Sequence, residues 1–119
     1  MTVSESAIDQ EKRRFPRVKV RIPVRYREVR DGAESVAVDS LTCDVSAGGL
    51  RFTTDKLVSN ACSLLLELDI PNLIHPVKAV SRVACVEKTN ADGHYEIGSE
   101  FMEITEKDRE LIAKFLNTK

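Results

Sequence analysis

Two groups of residues in this chain have types and spacings that could do chemistry. The first is a cationic run, Lys12, Arg13, Arg14 and Arg17, in which Arg13 and Arg17 stand four positions apart. The second is the stretch Asp44, Val45, Ser46, Ala47, Gly48, Gly49, Leu50, Arg51. Asp44 and Ser46 are two apart, so on an extended strand both side chains point to one side. Gly48 and Gly49 allow a tight turn or a left-handed backbone. A guanidinium fork suits phosphate oxygens and the acceptor edge of guanine, and its plane can stack on a purine. A carboxylate accepts from ring and amino N–H groups. Together the two groups fit a ligand with phosphates and a flat base rich in donors. Guanine meets that demand better than adenine, which lacks the paired N1–H and N2–H. The plainer reading of the second group is a hairpin turn whose Asp and Ser bond their own backbone.

The elements between the two groups can bring them together. From Val18 the period is two, with Val18, Val20, Ile22, Val24 and Tyr26 on one face. Lys19, Arg21, Pro23, Arg25 and Arg27 take the other, as in a half-buried strand. Pro23 predicts a sheet edge or a bulge. Asp31 and Gly32 predict a hairpin turn, and a returning strand covers about 34–45. In that hairpin Arg17 lies at the same end as Val45 and Ser46. Further strands are expected over 50–54, 62–68, 74–88 and about 95–101, with turns near Pro71 and over 90–93. In the second of these segments Leu64, Leu66 and Leu68 face one side, and Leu65 breaks the alternation. Val77, Ala79, Val83 and Cys85 share a face of the next strand. Tyr95, Ile97 and Phe101 share a face of the last, with Glu96 and Glu100 opposite and Gly98 marking a bend or bulge. The period then changes. Thr105 with Asp108 forms a capping box for a helix over 106–117 whose stripe is Leu111, Ile112, Phe115 and Leu116. Six strands and one helix predict an antiparallel β-barrel with a terminal helix covering an end or face, an open sheet being the alternative.

Composition bounds the function. The 119 residues suit one domain with one core. The net charge of −1 hides an asymmetry: residues 11–30 carry +7 and the rest −8. A short positive stripe on an acidic chain predicts a small anionic partner rather than a long nucleic acid. The alternating Lys19, Arg21, Arg25 and Arg27 also read as a solvated strand face. No apolar run is long enough for a membrane span, and residues 1–10 do not resemble a signal peptide, so a cytoplasmic protein is expected. Cys43, Cys62 and Cys85 lack paired spacing and read as free thiols of a reducing compartment. His75 and His94 sit at turns without a nucleophile–base pair, and no metal-ligand spacing is present. The sequence therefore predicts neither an enzyme nor a metal or cofactor site.

The arginine pair and the downstream turn resemble the signature of the PilZ domain family, receptors for the bacterial second messenger cyclic di-GMP. That signature is RxxxR followed by (Asp/Asn)-x-Ser-x-x-Gly. Arg13 and Arg17 match the first part; Asp44, Ser46 and Gly49 match the second. The likeness runs from about 11 to 116 and includes Gly98 and Phe101. It implies the family's six-stranded antiparallel barrel of split-barrel type with a carboxyl-terminal helix. Residues 1–12 would be a flexible arm, 11–18 a ligand-binding switch segment, about 18–101 the barrel, and 13–117 the domain. Arg13 and Arg17 would hold phosphates and guanine edges of cyclic di-GMP. Asp44 and Ser46 would contact a guanine, and Gly49 would keep the approach open. Lys12, Arg14 and Arg51 flank the motif as secondary candidates. One ligand or a stacked pair fits the cations, and the oligomeric state stays open. The output would be arm ordering read by a separate effector protein. The rival is a PilZ-like adaptor that acts by protein contact alone.

Overall fold

The alternating segment that begins at Val18 folds as a strand in two pieces. The structure is a computed structural model that describes residues 16–29, 35–89 and 93–119. β1 (Val18–Lys19) and β2 (Pro23–Glu28) both pair antiparallel with β3 (Val38–Ser46). Val18 faces Val45 and Lys19 faces Asp44, while Pro23 faces Leu41 and Tyr26 faces Val38. Pro23 has no N–H, and β2 is paired on both sides, so it is accommodated as the strand's first residue.

The break over Val20–Ile22 is bridged by one side chain. The buried Thr42 hydroxyl accepts from the Ile22 N–H at 2.9 Å and donates to the Val20 carbonyl. Removing it while keeping the shape leaves the buried Ile22 N–H and the part-buried Val20 carbonyl without this partner. Thr42→Val is therefore expected to lose about 1–3 kcal/mol of stability. Thr42→Ser retains the hydroxyl and should stay much closer to the parent in urea denaturation; equal midpoints for the parent and the Val variant would refute the bridge.

Four more strands complete the sheet: β4 (Gly49–Thr54), β5 (Ser63–Leu68), β6 (Val77–Lys88) and β7 (Tyr95–Glu103). The pairings run β3–β2–β5–β6–β7–β4 and return to β3, all antiparallel. This is the expected closed six-stranded barrel. Its interior is filled by the inward alternation, including Ile22, Val24, Val45, Phe52, Leu64, Leu66 and Ile97. Tyr26 packs against Phe52 with ring centroids 4.7 Å apart, and its hydroxyl meets that of Thr54 at 2.7 Å. Leu64, Leu66 and Leu68 share one face as predicted, the inner one, while Leu65 is exposed on the outer face.

Some expected boundaries shift. Ile74 does not begin a strand: it is 93 % exposed, and β6 starts at Val77, after Pro76. Pro76 has no N–H for a ladder, and residues 70–76 form a turn with Asn72 at φ 71°. β5 starts at Ser63 rather than Cys62, because Ala61 (φ 65°) turns the chain just before it. β3 starts at Val38, four residues later than the expected 34. The turns at Asp31–Gly32 and at 90–92 lie outside the described residues. The irregularity expected at Gly98 sits on the partner strand, where register shifts between Val83 and Cys85 opposite it.

The helix α1 (Glu106–Leu116) begins as the capping residues predict: the Thr105 side chain accepts from the Asp108 N–H at 3.1 Å. Asn117 is its C-cap rather than its last turn. Ile112 and Leu116 are buried in the core, with Leu111 and Phe115 half-buried, so the stripe covers the barrel.

Candidate functional site

The hairpin joining β3 to β4 has a two-residue loop, Ala47 and Gly48, closed by the Ser46–Gly49 pair. Ser46 shapes it. Its buried hydroxyl accepts from the Gly48 N–H at 3.1 Å and donates to the Gly49 carbonyl at 3.3 Å. The self-bonded turn is thus real for Ser46, which leaves that hydroxyl one acceptor lone pair. Of the two options the paired glycines offered, the tight turn forms and the left-handed backbone does not; among the described glycines only Gly93 takes it. Gly49 is required for a different reason. A Cβ there would stand 2.2 Å from the Ser99 carbonyl oxygen of β7. The Gly48 carbonyl accepts from the Phe101 N–H at 2.9 Å, which pins the turn to β7.

Asp44 is aimed outward by a bulge. Thr42 faces Phe52 and Asp44 faces Arg51, leaving Cys43 as the extra residue between them. On the outer face a row then crosses the sheet: Lys19, Asp44, Arg51, Gly98, Cys85. Arg51 bonds Glu96 through Nη1 at 2.9 Å and lies 4.0 Å from Asp44 Oδ2 through Nε. The Glu96 hydrogen bond holds the Arg51 guanidinium even more firmly protonated than usual; burial opposes this, and the Asp44 charge adds to it. The other carboxylate oxygen, Asp44 Oδ1, is buried with no hydrogen-bond partner. Burial raises the Cys43 thiol pKa, with Glu96 and Asp44 adding to it. A hydrogen bond to Glu87 raises that of Cys85, which is also partly desolvated. Both thiols therefore stay protonated and poorly nucleophilic at neutral pH.

Arg17 is exposed and stands one residue before Val18, the partner of Val45. The hairpin thus carries Arg17 to the Ser46 end of β3, as its register predicted. The structure brings together Arg17, Asp44, Ser46, Gly49 and, from the neighbouring strand, Arg51. Lys12, Arg13 and Arg14 lie outside the described residues. Sequence reasoning missed Lys19 and Glu96. The period put both on outer faces, but Lys19 needed the register opposite Asp44, and Glu96 needed β7 to lie beside β4. His75 and His94 are exposed. Among the described residues no group of three or more His, Cys, Asp or Glu side chains could hold a metal ion. Among them, too, no helix is long and apolar enough to cross a membrane.

The family model described as PilZ domain matches residues 11–118. No curated protein sequence matches the chain. Among solved structures, the Bacillus subtilis inhibitor of motility, MotI/DgrA, superposes with a TM-score of 0.73 at 18 % identity, covering 90 % of this chain and 50 % of that one. This chain thus spans about half the length of that protein. The PilZ domain of YcgR from Escherichia coli, solved with c-di-GMP, gives 0.68 at 12 % identity, covering 90 % of each chain. The MrkH–c-di-GMP complex of K. pneumonia gives 0.66 at 19 % identity, covering 88 % of this chain and 50 % of that one. At these identities the likeness is one of fold.

Proposed function

The chain belongs to the PilZ domain family, and from that premise we propose that it is a receptor for cyclic di-GMP. The observation that carries the reading is the buried, unpartnered Oδ1 of Asp44, two residues along β3 from Ser46, at the end of the strand to which the register of β1 brings Arg17. An ionised oxygen held away from water without a donor costs free energy that a ligand N–H can recover. Guanine N1–H and N2–H are donors of that kind. Arg17, with Arg13 from the preceding segment, supplies forks for the phosphates and for guanine N7 and O6. Lys19 and Arg51 add positive potential around the same corner, and Lys12 and Arg14 are further candidate contacts from the preceding segment. Binding, with no chemical step, is the proposed event, and one ligand or a stacked pair satisfies the same groups.

The proposed output is ordering of the arm. Mutual repulsion of Lys12, Arg13, Arg14 and Arg17 favours an extended segment, and ligand phosphates cancel it. A separate effector protein would then read the altered surface. Amide exchange should show residues 9–18 protected only with nucleotide present; equal protection in both states would remove the switch.

The receptor reading is tested by calorimetric titration with cyclic di-GMP, with GTP and cyclic di-AMP as controls. Saturable heat with cyclic di-GMP alone, at one or two ligands per chain, is expected. Absence of that heat would leave the adaptor reading in its place.

A further inference from the structure

We propose that Glu96 is a positioning residue: it holds the Arg51 guanidinium off Asp44 and so leaves Asp44 Oδ1 without a competing donor, for a nucleobase N–H to take. The inference rests on the cyclic di-GMP reading above. Arg51 has two carboxylates in reach and engages one fully. Glu96 accepts at 2.9 Å, whereas the nearest Asp44 oxygen stays at 4.0 Å. Arg51 and Asp44 are direct cross-strand partners, so a side-chain rotation alone would close that gap. A closed guanidinium–carboxylate pair has N···O separations of about 2.7–2.9 Å and commonly uses both oxygens. In that two-oxygen form it would occupy Oδ1, the atom the ligand needs.

Two features favour Glu96 in this competition. Glu96 faces Glu87 directly across β6 and β7, and opposed like charges repel. Arg51 relieves that repulsion when it leans toward Glu96. The Arg51 stem also lies across Gly98: a Cβ there would stand 3.7 Å from Arg51 Cγ and 3.9 Å from Cζ. The guanidinium therefore rests over a position with no side chain, on the line from Asp44 to β7. Without Glu96, Asp44 is the remaining acidic partner beside Arg51 in this row, and closing onto it would end the isolation of its carboxylate.

The test compares wild type, Glu96→Ala, Arg51→Ala and the double variant, by cyclic di-GMP calorimetry and by crystal structures of the ligand-free proteins. Glu96→Ala is expected to bind about tenfold more weakly, near 1.4 kcal/mol. The double variant is expected to return to the affinity of Arg51→Ala, a sign of coupling that simple loss of packing does not produce. In ligand-free Glu96→Ala, Arg51 should contact Asp44 at about 2.7–2.9 Å. Glu96→Gln, the same size without the charge, should shift affinity in the same direction by less. Unchanged or tighter binding by Glu96→Ala, or a double variant that binds more weakly than Arg51→Ala, would overturn the inference. So would an Arg51 that keeps its distance from Asp44 in the Glu96→Ala structure. If wild type gives no heat but that structure shows the closed pair, the receptor reading fails while the hold of Glu96 on Arg51 stands.

Discussion

Arg17→Ala is expected to weaken cyclic di-GMP binding by about 2–5 kcal/mol, the range for truncating one partner of a buried, hydrogen-bonded charge pair. That is roughly thirtyfold to several thousandfold in affinity. Arg17 is exposed without ligand, at the entry to β1, and the register of β1 sets it at the Ser46 end of β3. A nucleotide seated between Arg17 and Asp44 would desolvate the guanidinium and take its parallel N–H donors. Alanine would remove both donors and leave a phosphate or guanine edge unanswered. Arg17→Lys keeps the charge but loses the fork, so it should fall between the two. Neither change touches the core, and thermal midpoints should stay close to wild type. Calorimetry at fixed ionic strength checks the series, because salt alone shifts exposed charge interactions. Equal affinity for wild type and the Ala variant would take Arg17 out of the site.

Gly49→Ala carries the largest expected effect on stability. The added carbon would stand 2.2 Å from the Ser99 carbonyl oxygen and 3.1 Å from Glu100 Cα, both backbone atoms of β7. No rotamer relieves a backbone contact. β4 must part from β7 where Gly49 pairs with Glu100, and the hydrogen bond from Phe101 to Gly48 is strained with it. Overpacking of this kind typically costs 1–3 kcal/mol, and about 3 kcal/mol is expected here. Gly98→Ala is the internal control. Its nearest neighbour, Cys85 Cβ, lies at 3.6 Å, an ordinary contact, so its cost should be well under half as large. Urea denaturation of both variants decides the matter; similar midpoints would mean that the close approach at Gly49 is not limiting.

The barrel was legible because its strands carry clean alternation and its helix carries a cap. Leu64, Leu66 and Leu68 declare an inner face, and Thr105 with Asp108 declares a helix start. Partners distant in sequence were not legible. Nothing local to Glu96 indicates that it will lie beside Arg51, since that follows from β7 pairing with β4. The role of Gly49 was hidden in the same way: the glycine pair suggested backbone freedom, but the missing Cβ serves a neighbour fifty positions downstream, Ser99. Pro23 did mark the interruption of the first strand, because a missing N–H is a local fact. That Thr42 would bridge the gap depended on a register between two strands. Arg17 stands at the Ser46 end of β3 as the hairpin predicted, since that placement needs only one adjacent pairing.

Ring closure has a consequence for how another protein could engage this domain. Among the described strands only β1 is paired on one side along its whole length, and it is two residues long. That is too short a template for β-augmentation, in which a visiting peptide zips onto an open ladder. The longer open stretch is the end of β6 past Val83, which has β7 alone beside it. A peptide that pairs there should tolerate scrambling of its sequence at constant strand propensity, whereas one held by side chains, turns or the helix should lose its hold.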